Sequence, residues 1–425
     1  MSDLITHDHE PDGVDRRGFL RCMAWAGTGV VWAISGGVPK AYAISSMASL
    51  TEAQRKELFF VQISDSHIGF SKAANQDVTA TLQLAVDRLN ALPKAPALVL
   101  HTGDITQLSK SSEFDTADQI IKGIKTDRVF YVPGEHDVAT DNGTEYLKRY
   151  GRGSAKPWYS FDHSGVHFVG LVNVLDLKAG GLGSLGQPQL DWLKADLRGL
   201  SASTPIVVFA HIPLWTIYPE WGWGTDDSAQ ALGLLKRFGS VTVLNGHIHQ
   251  TMQKVEGNVH FHTALSTAFP QPAPGSAPSP GPMTVDASRL RHVLGLTSVT
   301  YVPGTHSLAL VDTTLTGEVT LAGAMAMEHS TAKVRRVDMS KLPPGTISID
   351  NFQFTPKVAT VKAGTEVTWL NRDDVPHLII SSNGKFRSSL IIDTDKTHTA
   401  LFATPGEYPY FCSLHPTMTG KIIVK

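Results

Sequence analysis

The chain carries two sets of residues whose types and spacing could bind metal ions. The first is a series of five short motifs: Asp65-Ser66-His67, Gly103-Asp104, Gly134-Glu135-His136-Asp137, His211-Ile212-Pro213 and Gly246-His247-Ile248-His249. Carboxylates and neutral imidazoles suit Zn, Mn or Fe, and a pair with one spacer can bite one cation or two adjacent ones. A single Asp-x-His or His-x-His is weak evidence, but here each of the five follows an apolar run. The second set lies near the C-terminus, where His377 is followed by Cys412, His415 and Met418. One thiolate, two imidazoles and one thioether are the donors of a mononuclear blue-copper centre. The Cys-x-x-His-x-x-Met spacing lets one short loop supply three of them.

Such residues act together only if the surrounding elements gather them. From Leu58 onward, short β-branched runs alternate with helical patterns. Strands are expected at Leu58–Ser64, Ala97–His101, Val129–Val132, Ile206–Ala210 and Val241–Asn245, with a strand pair at Trp158–Phe161 and Val166–Leu171. Helices are expected at Val78–Leu92, Phe114–Ile124, Leu190–Leu200 and Ala229–Phe238. Strands alternating with helices of this length indicate an α/β domain, and loops leaving the carboxyl ends of its strands would converge on one crevice. Glycines beside Asp104, Glu135 and His247 permit sharp turns there. Pro270 to Pro282 holds six prolines and reads as a surface loop. His306–Asp312 and Glu318–Ala322 read as closing strands. After Met327 the chain becomes charged and irregular, and from Thr346 onward it is short strands and turns, a second, all-β domain.

The remaining histidines weigh less. His101, His163, His167, His260 and His262 flank or alternate in strands and read as structural or surface residues, with His262 the nearest of them to the crevice. The aromatic segment Leu214–Trp223 is broken by Pro and Gly and reads as a loop walling the site.

Composition narrows the classes of function. The 425 residues are 42% hydrophobic and 18% charged, enough for ordinary cores. Thirty-seven Lys and Arg against 39 Asp and Glu give a net charge of −2, with no basic surplus to bind a nucleic-acid backbone. Two cysteines, Cys22 and Cys412, exclude a disulfide framework.

The first 43 residues read as an address. Asp15-Arg16-Arg17-Gly18-Phe19-Leu20 precedes a weakly apolar stretch, Cys22–Ile34, and a small-residue cleavage site at Ala41-Tyr42-Ala43. The apolar run is too short for a permanent membrane span. The segment resembles a twin-arginine signal, although Asp15 stands where Ser or Thr is usual. The resemblance implies export of the folded protein to the periplasm or medium, with Cys412 alone in the mature chain.

The five-motif series resembles the calcineurin-like metallophosphoesterases over about Leu58 to Ala322. The resemblance implies a four-layer α/β sandwich that hydrolyses small phosphoester substrates at two divalent or trivalent metal ions (Fe, Mn or Zn). It implies that Asp65, His67 and His249 hold one metal, that His211 and His247 hold the other, and that Asp104 bridges them. His136 would assist the leaving group and Asp137 would orient the His136 ring. One residue departs from the family pattern: Glu135 stands where the family has asparagine. It would bind the second metal, select a harder cation or weaken the site, and its charge would repel a phosphate dianion.

The segment Thr346–Lys425 resembles cupredoxins of the amicyanin and pseudoazurin kind. Ile347–Pro356 matches their first strand, Val361–Asn371 the following hairpin, and Gly406–Cys412 the approach to the ligand loop. The resemblance implies a Greek-key β-sandwich with His377, Cys412 and His415 as equatorial ligands and Met418 as the axial ligand of one copper ion. The expected organisation is an export signal at 1–43, a phosphoesterase domain at 44–327, a linker at 328–345 and a cupredoxin domain at 346–425. The expected function is phosphoester hydrolysis with diesters favoured. The alternative is a redox protein in which copper serves a modified dinuclear site or an external redox partner protein.

Overall fold

The computed structural model describes residues 30–35, 38–43, 57–151, 153–154, 156–175, 177–302, 308–320 and 342–425. The twin arginines, Cys22 and most of the expected linker lie outside them. Strands β1 (Val30–Ser35) and β2 (Val38–Ala43) form an antiparallel hairpin within the segment read as a signal. Among the described residues, no helix is long and apolar enough to cross a membrane.

Two six-stranded sheets form the α/β part. One contains β3 (Leu58–Ile63), β4 (Val99–His101), β5 (Val129–Tyr131), and then β12, β13 and β14 (Gly295–Tyr301, Ala309–Thr314, Val319–Thr320), in the order β14-β13-β12-β3-β4-β5. The other contains β6 (Tyr159–His163), β7 (Val166–Gly170), β8 (Ile206–Phe209), β9 (Val241–Asn245), β10 (Gln253–Glu256) and β11 (Val259–Thr263), in the order β10-β11-β9-β8-β7-β6.

Alternation along each strand sends successive side chains to opposite faces, and here both faces are apolar. In β3, Phe60 enters the layer between the sheets while Val61 and Ile63 face outward. In β8, Val207 and Phe209 point between the sheets while Ile206 and Val208 face outward. Helices Val78–Asn90 and Ser111–Ile121 cover the outer face of the first sheet. Helices Gln187–Leu197 and Ser228–Leu235 cover that of the second. The result is the expected four-layer α/β sandwich.

The C-terminal part is a two-sheet β-sandwich. Strands β15 (Thr346–Asp350), β16 (Gln353–Thr355), β18 (Thr365–Asn371) and β20 (Thr397–Phe402) form one sheet. Strands β17 (Val358–Val361), β19 (Ile379–Ser381), β21 (Gly406–Cys412) and β22 (Thr419–Val424) form the other. Trp369, Phe402, Tyr410 and Ile422 fill the space between them.

Among the parts to which the sequence reading assigns no range are the helix Thr144–Tyr150, the hairpin β10–β11 and strand β12. Strand β12 lies between β3 and β13 and pairs with both. Its Gly295 and three threonine or serine residues dilute the apolar signal.

Candidate functional site

Strands β3, β4 and β5 run parallel, as do β8 and β9, so their carboxyl ends open on the same side of each sheet. The five motifs leave from those ends. Backbone hydrogen bonds stitch the loops together: Asp65 N–H to Gly103 O at 3.0 Å, His67 N–H to Asp104 O at 2.9 Å, and Gly246 N–H to His211 O at 3.0 Å. The crowding explains the glycines. A Cβ on Gly134 would overlap the Asp104 carboxylate, and one on Gly246 would overlap Ser64 Oγ and lie 2.6 Å from Asp65 Oδ2.

Two clusters of inward-facing donors result, one of Asp65, His67 and His249 and the other of Glu135, His211 and His247. Asp104 lies between them, with Oδ2 3.5 Å from His67 Nε2 and 3.4 Å from His211 Nε2. Glu135 reaches His247 Nδ1 at 3.0 Å and His211 Nε2 at 3.1 Å, so the residue that departs from the family pattern sits inside the second cluster. Five of these residues, Asp65, His67, Asp104, His247 and His249, have left-handed backbone with φ between 42° and 71°. Non-glycine residues rarely adopt it, and such outliers concentrate at functional sites.

The outer nitrogens of three imidazoles are already engaged. His67 Nδ1 meets Gln107 Oε1 at 2.9 Å, His249 Nδ1 meets the Phe269 carbonyl at 2.6 Å, and His211 Nδ1 meets the Thr102 carbonyl at 2.8 Å. Each Nδ1 therefore donates its proton outward and each Nε2 is aimed at the carboxylates, the orientation that metal-bound histidines take from their outer partners. His67 Nε2 and His249 Nε2 are only 3.2 Å apart, a contact of two lone pairs unless a cation sits beside both.

Electrostatics agree with a site built for positive charge. Burial alone would raise the pKa of Asp65, Asp104 and Glu135, yet the surrounding histidines hold all three below the ordinary carboxylate range. Burial opposes charge on His211, but Asp104 and Glu135 raise its pKa well above the usual value. A proton there stands where a metal would displace it. Burial lowers His67 to about 3, which leaves its lone pair free. The donors fit two cations of the Zn, Mn or Fe class.

His136 reaches the same centre, with a ring nitrogen near a His67 ring nitrogen and an Asp104 carboxylate oxygen. Its Nδ1 donates to the Gln107 carbonyl at 2.9 Å. This corrects the expectation for Asp137. The Asp137 carboxylate accepts from the backbone of Ile105, Thr106 and Gly134 and from the Thr106 hydroxyl, at 2.9 to 3.1 Å. It holds the Asp104 loop in shape, while Gln107 orients His136. His262 belongs to neither donor cluster and pairs with Asp312 at 3.0 Å, and His101 bonds Ser66 at 2.6 Å.

In the C-terminal sandwich, His377, Cys412 and His415 converge. Cys412 Sγ lies 3.5 Å from His377 Nδ1 and 3.7 Å from His415 Nδ1, and the two Nδ1 atoms are 3.3 Å apart. His377 Nε2 is held by Asp373 at 2.9 Å, and Cys412 Sγ accepts from Leu378 N–H at 3.4 Å. Met418 is buried in the same core, its N–H bonded to the His415 carbonyl. Burial opposes charge on His377, but Cys412 and Asp373 raise it to about 9, again a proton where a cation belongs. A buried thiol, an Nδ1 and a thioether from the Cys412–Met418 loop, with the Nδ1 of His377 from another part of the chain, fit copper.

Sequence reasoning did not place the two centres side by side. The His136 and His415 rings lie 6.4 Å apart, edge to face. The Gly180 N–H donates to the Pro416 carbonyl at 2.6 Å, and Ala139 packs on the C-terminal core. A cavity of 440 Å³ between the domains is lined by Trp221, Pro278, Phe352, Lys357, His415 and Met418. The aromatic loop thus divides its roles, Trp223 being buried and Trp221 facing this cavity. Gln107 and Asp373 were also missed. Asp373 is four residues before His377, whereas nothing local marks Gln107 as a partner of two histidines.

The calcineurin-like phosphoesterase family matches residues 60–251, and the cupredoxin-like domain family matches residues 319–424. A 3',5'-cyclic-nucleotide phosphodiesterase of Nostoc sp. is 26% identical over 224 residues, 51% of this chain and 80% of that protein. A probable glycerophosphodiester phosphodiesterase of Arcobacter nitrofigilis is 28% identical over 227 residues, 49% of this chain and 78% of that protein. Amicyanin-alpha of Methylorubrum extorquens is 30% identical over 93 residues, 20% of this chain and 78% of that protein.

Proposed function

From a chain that belongs to the calcineurin-like phosphoesterases over residues 60–251 and to the cupredoxins in its C-terminal part, we propose an exported phosphodiesterase with a dinuclear metal centre and a type 1 copper beside it. The chain is a metal-dependent phosphoesterase. The preference for diesters draws support from the two phosphodiesterase relatives and from the extra carboxylate of Glu135. The observation that carries the reading is the pair of inward-facing clusters sharing Asp104.

In this reading Asp65, His67, His249 and Asp104 would hold one cation, and Asp104, Glu135, His211 and His247 would hold the other. Bound there, the cations would supply Lewis-acid polarisation of a phosphoryl group and a more acidic water. The protein's own groups do the rest. Gln107, Thr102 and Phe269 fix the imidazoles in the tautomer that faces inward. His136, with Nδ1 committed to Gln107, keeps its other nitrogen to hold a proton and pass it to the leaving oxygen. The Asp104 carboxylate is steadied by the His136 backbone N–H at 3.1 Å. In the C-terminal domain His377, Cys412, His415 and Met418 would hold copper, which supplies one-electron chemistry.

The test combines metal analysis with hydrolysis of bis(4-nitrophenyl) phosphate. Asp104→Asn should lose metal and nearly all activity. His136→Gln should keep metal and lose most activity against poor leaving groups. Unchanged hydrolysis in both variants would refute the assignment. For export, lysines in place of Arg16 and Arg17 should leave the precursor in the cytoplasm, and undiminished export would overturn that part.

A further inference from the structure

His415 belongs to both domains at once. Its Nδ1 faces Cys412 and His377, so a copper ion bound there takes that nitrogen. A neutral imidazole has one N–H. With Nδ1 ligated, the proton must sit on Nε2, on the other side of the ring. Beyond His415 stands His136, ring to ring at 6.4 Å, and beyond His136 the carboxylate of Asp104 and the ring of His67. Phe352 packs edge to face on His415 at 4.6 Å, and the Gly180–Pro416 hydrogen bond ties the next residue to the phosphoesterase domain. The ring therefore has little freedom to turn away.

We infer that His415 is a shared residue: copper on Nδ1 fixes Nε2–H as a hydrogen-bond donor toward the phosphoester site, where it serves a tetrahedral phosphoryl oxyanion. Without copper, Nδ1 has only its contacts with His377 and Cys412, and the ring loses the metal bond that locks Nε2–H as the donor the anion needs. Copper thereby acts as a structural effector of the hydrolytic site, and an anion in that site is felt at copper. The inference rests on the phosphoesterase reading of the first cluster and goes beyond it by linking the two centres through one imidazole.

The experiment uses the full chain with zinc in the dinuclear site, with and without copper(II), and inorganic phosphate as the probe. Binding is followed by calorimetry and, in the copper form, by the visible band and paramagnetic spectrum of copper. Phosphate should shift the copper spectrum, and removing copper should weaken phosphate binding about tenfold, the scale of one hydrogen bond to a charged group. In Ala139→Arg, a charged wedge between the domains, the copper colour should remain while its response to phosphate disappears. Phosphate binding with equal affinity in both forms and an unmoved copper spectrum would overturn the inference and leave the hydrolytic reading standing. No phosphate binding by the zinc-loaded protein in either form would overturn both.

Discussion

Replacing Glu135 by glutamine keeps the length of the side chain and removes its charge. The carboxylate sits 3.0 Å from His247 and 3.1 Å from His211, inside the second cluster, so the change acts where a phosphoryl group would bind. The carboxylates of Asp65, Asp104 and Glu135 against two divalent cations leave a single net positive charge, and the variant leaves two. One unit charge about 5 Å away is worth about 3 kcal/mol at an effective dielectric near 20. A phosphomonoester dianion gains that attraction twice and a diester monoanion once, so the difference between them is about 3 kcal/mol before screening. With allowance for solvent and counter-ions, Glu135→Gln should raise the ratio of monoester to diester kcat/KM at least tenfold. The assay compares 4-nitrophenyl phosphate with bis(4-nitrophenyl) phosphate. Metal content is measured in both proteins, because an amide binds cations less well than a carboxylate. An unchanged ratio with both sites fully loaded would refute the electrostatic role of Glu135.

Other expectations follow from single contacts. Gly134→Ala forces a methyl group onto the Asp104 carboxylate and should reduce the metal bound to well below two ions per chain, with circular dichroism unchanged. Full metal occupancy would contradict the crowding argument. Cys412→Ser should abolish the intense visible band of the copper(II) protein, and a retained band would exclude Cys412 as the ligand. His167, on β7, lies between Asp162 of β6 and Asp196 of the helix Gln187–Leu197, at 2.8 and 2.9 Å. Burial opposes its charge, but the two carboxylates raise its pKa above the usual value. Its contribution to stability is therefore complete below about pH 6.5, the unfolded value, and is lost as the pH rises through the raised folded value. The melting difference between wild type and His167→Gln should shrink from pH 6 to pH 9. A difference independent of pH would refute the charged pairing.

The legible parts of the fold are those where one local pattern decides. Val241–Asn245 sets Val241, Val243 and Leu244 beside the β-branched Thr242 and forms β9 over the same residues. The helix expected at Phe114–Ile124 begins three residues earlier, at Ser111, because the polar first turn contributes no apolar period. The site's carboxylates and imidazoles announced themselves through spacing, since each motif is a strand end followed by a tight turn. What orients them did not. The carbonyls of Thr102, Gln107 and Phe269 are backbone groups that every residue possesses, and only the fold selects three of them. Asp137 was misread for a related reason: adjacency to His136 suggested a side-chain pair, whereas the one-turn helix Glu135–Val138 turns the carboxylate back toward the backbone of residues 105 and 106. The meeting of His136 and His415 depends on how two domains dock, which neither domain's pattern encodes.

The left-handed backbone at Asp65, His67, Asp104, His247 and His249 sets the fold and the site at odds. Conformations of this kind cost on the order of 1–3 kcal/mol each in a non-glycine residue, and glycine would relieve most of that. A laboratory selection for thermostability alone should therefore drift toward glycine at these five positions and discard metal-binding side chains early. The surviving variants would melt higher and hydrolyse nothing. A selection that alternates heat with a demand for turnover should instead leave all five untouched and gather its gains in the helices and the apolar layers.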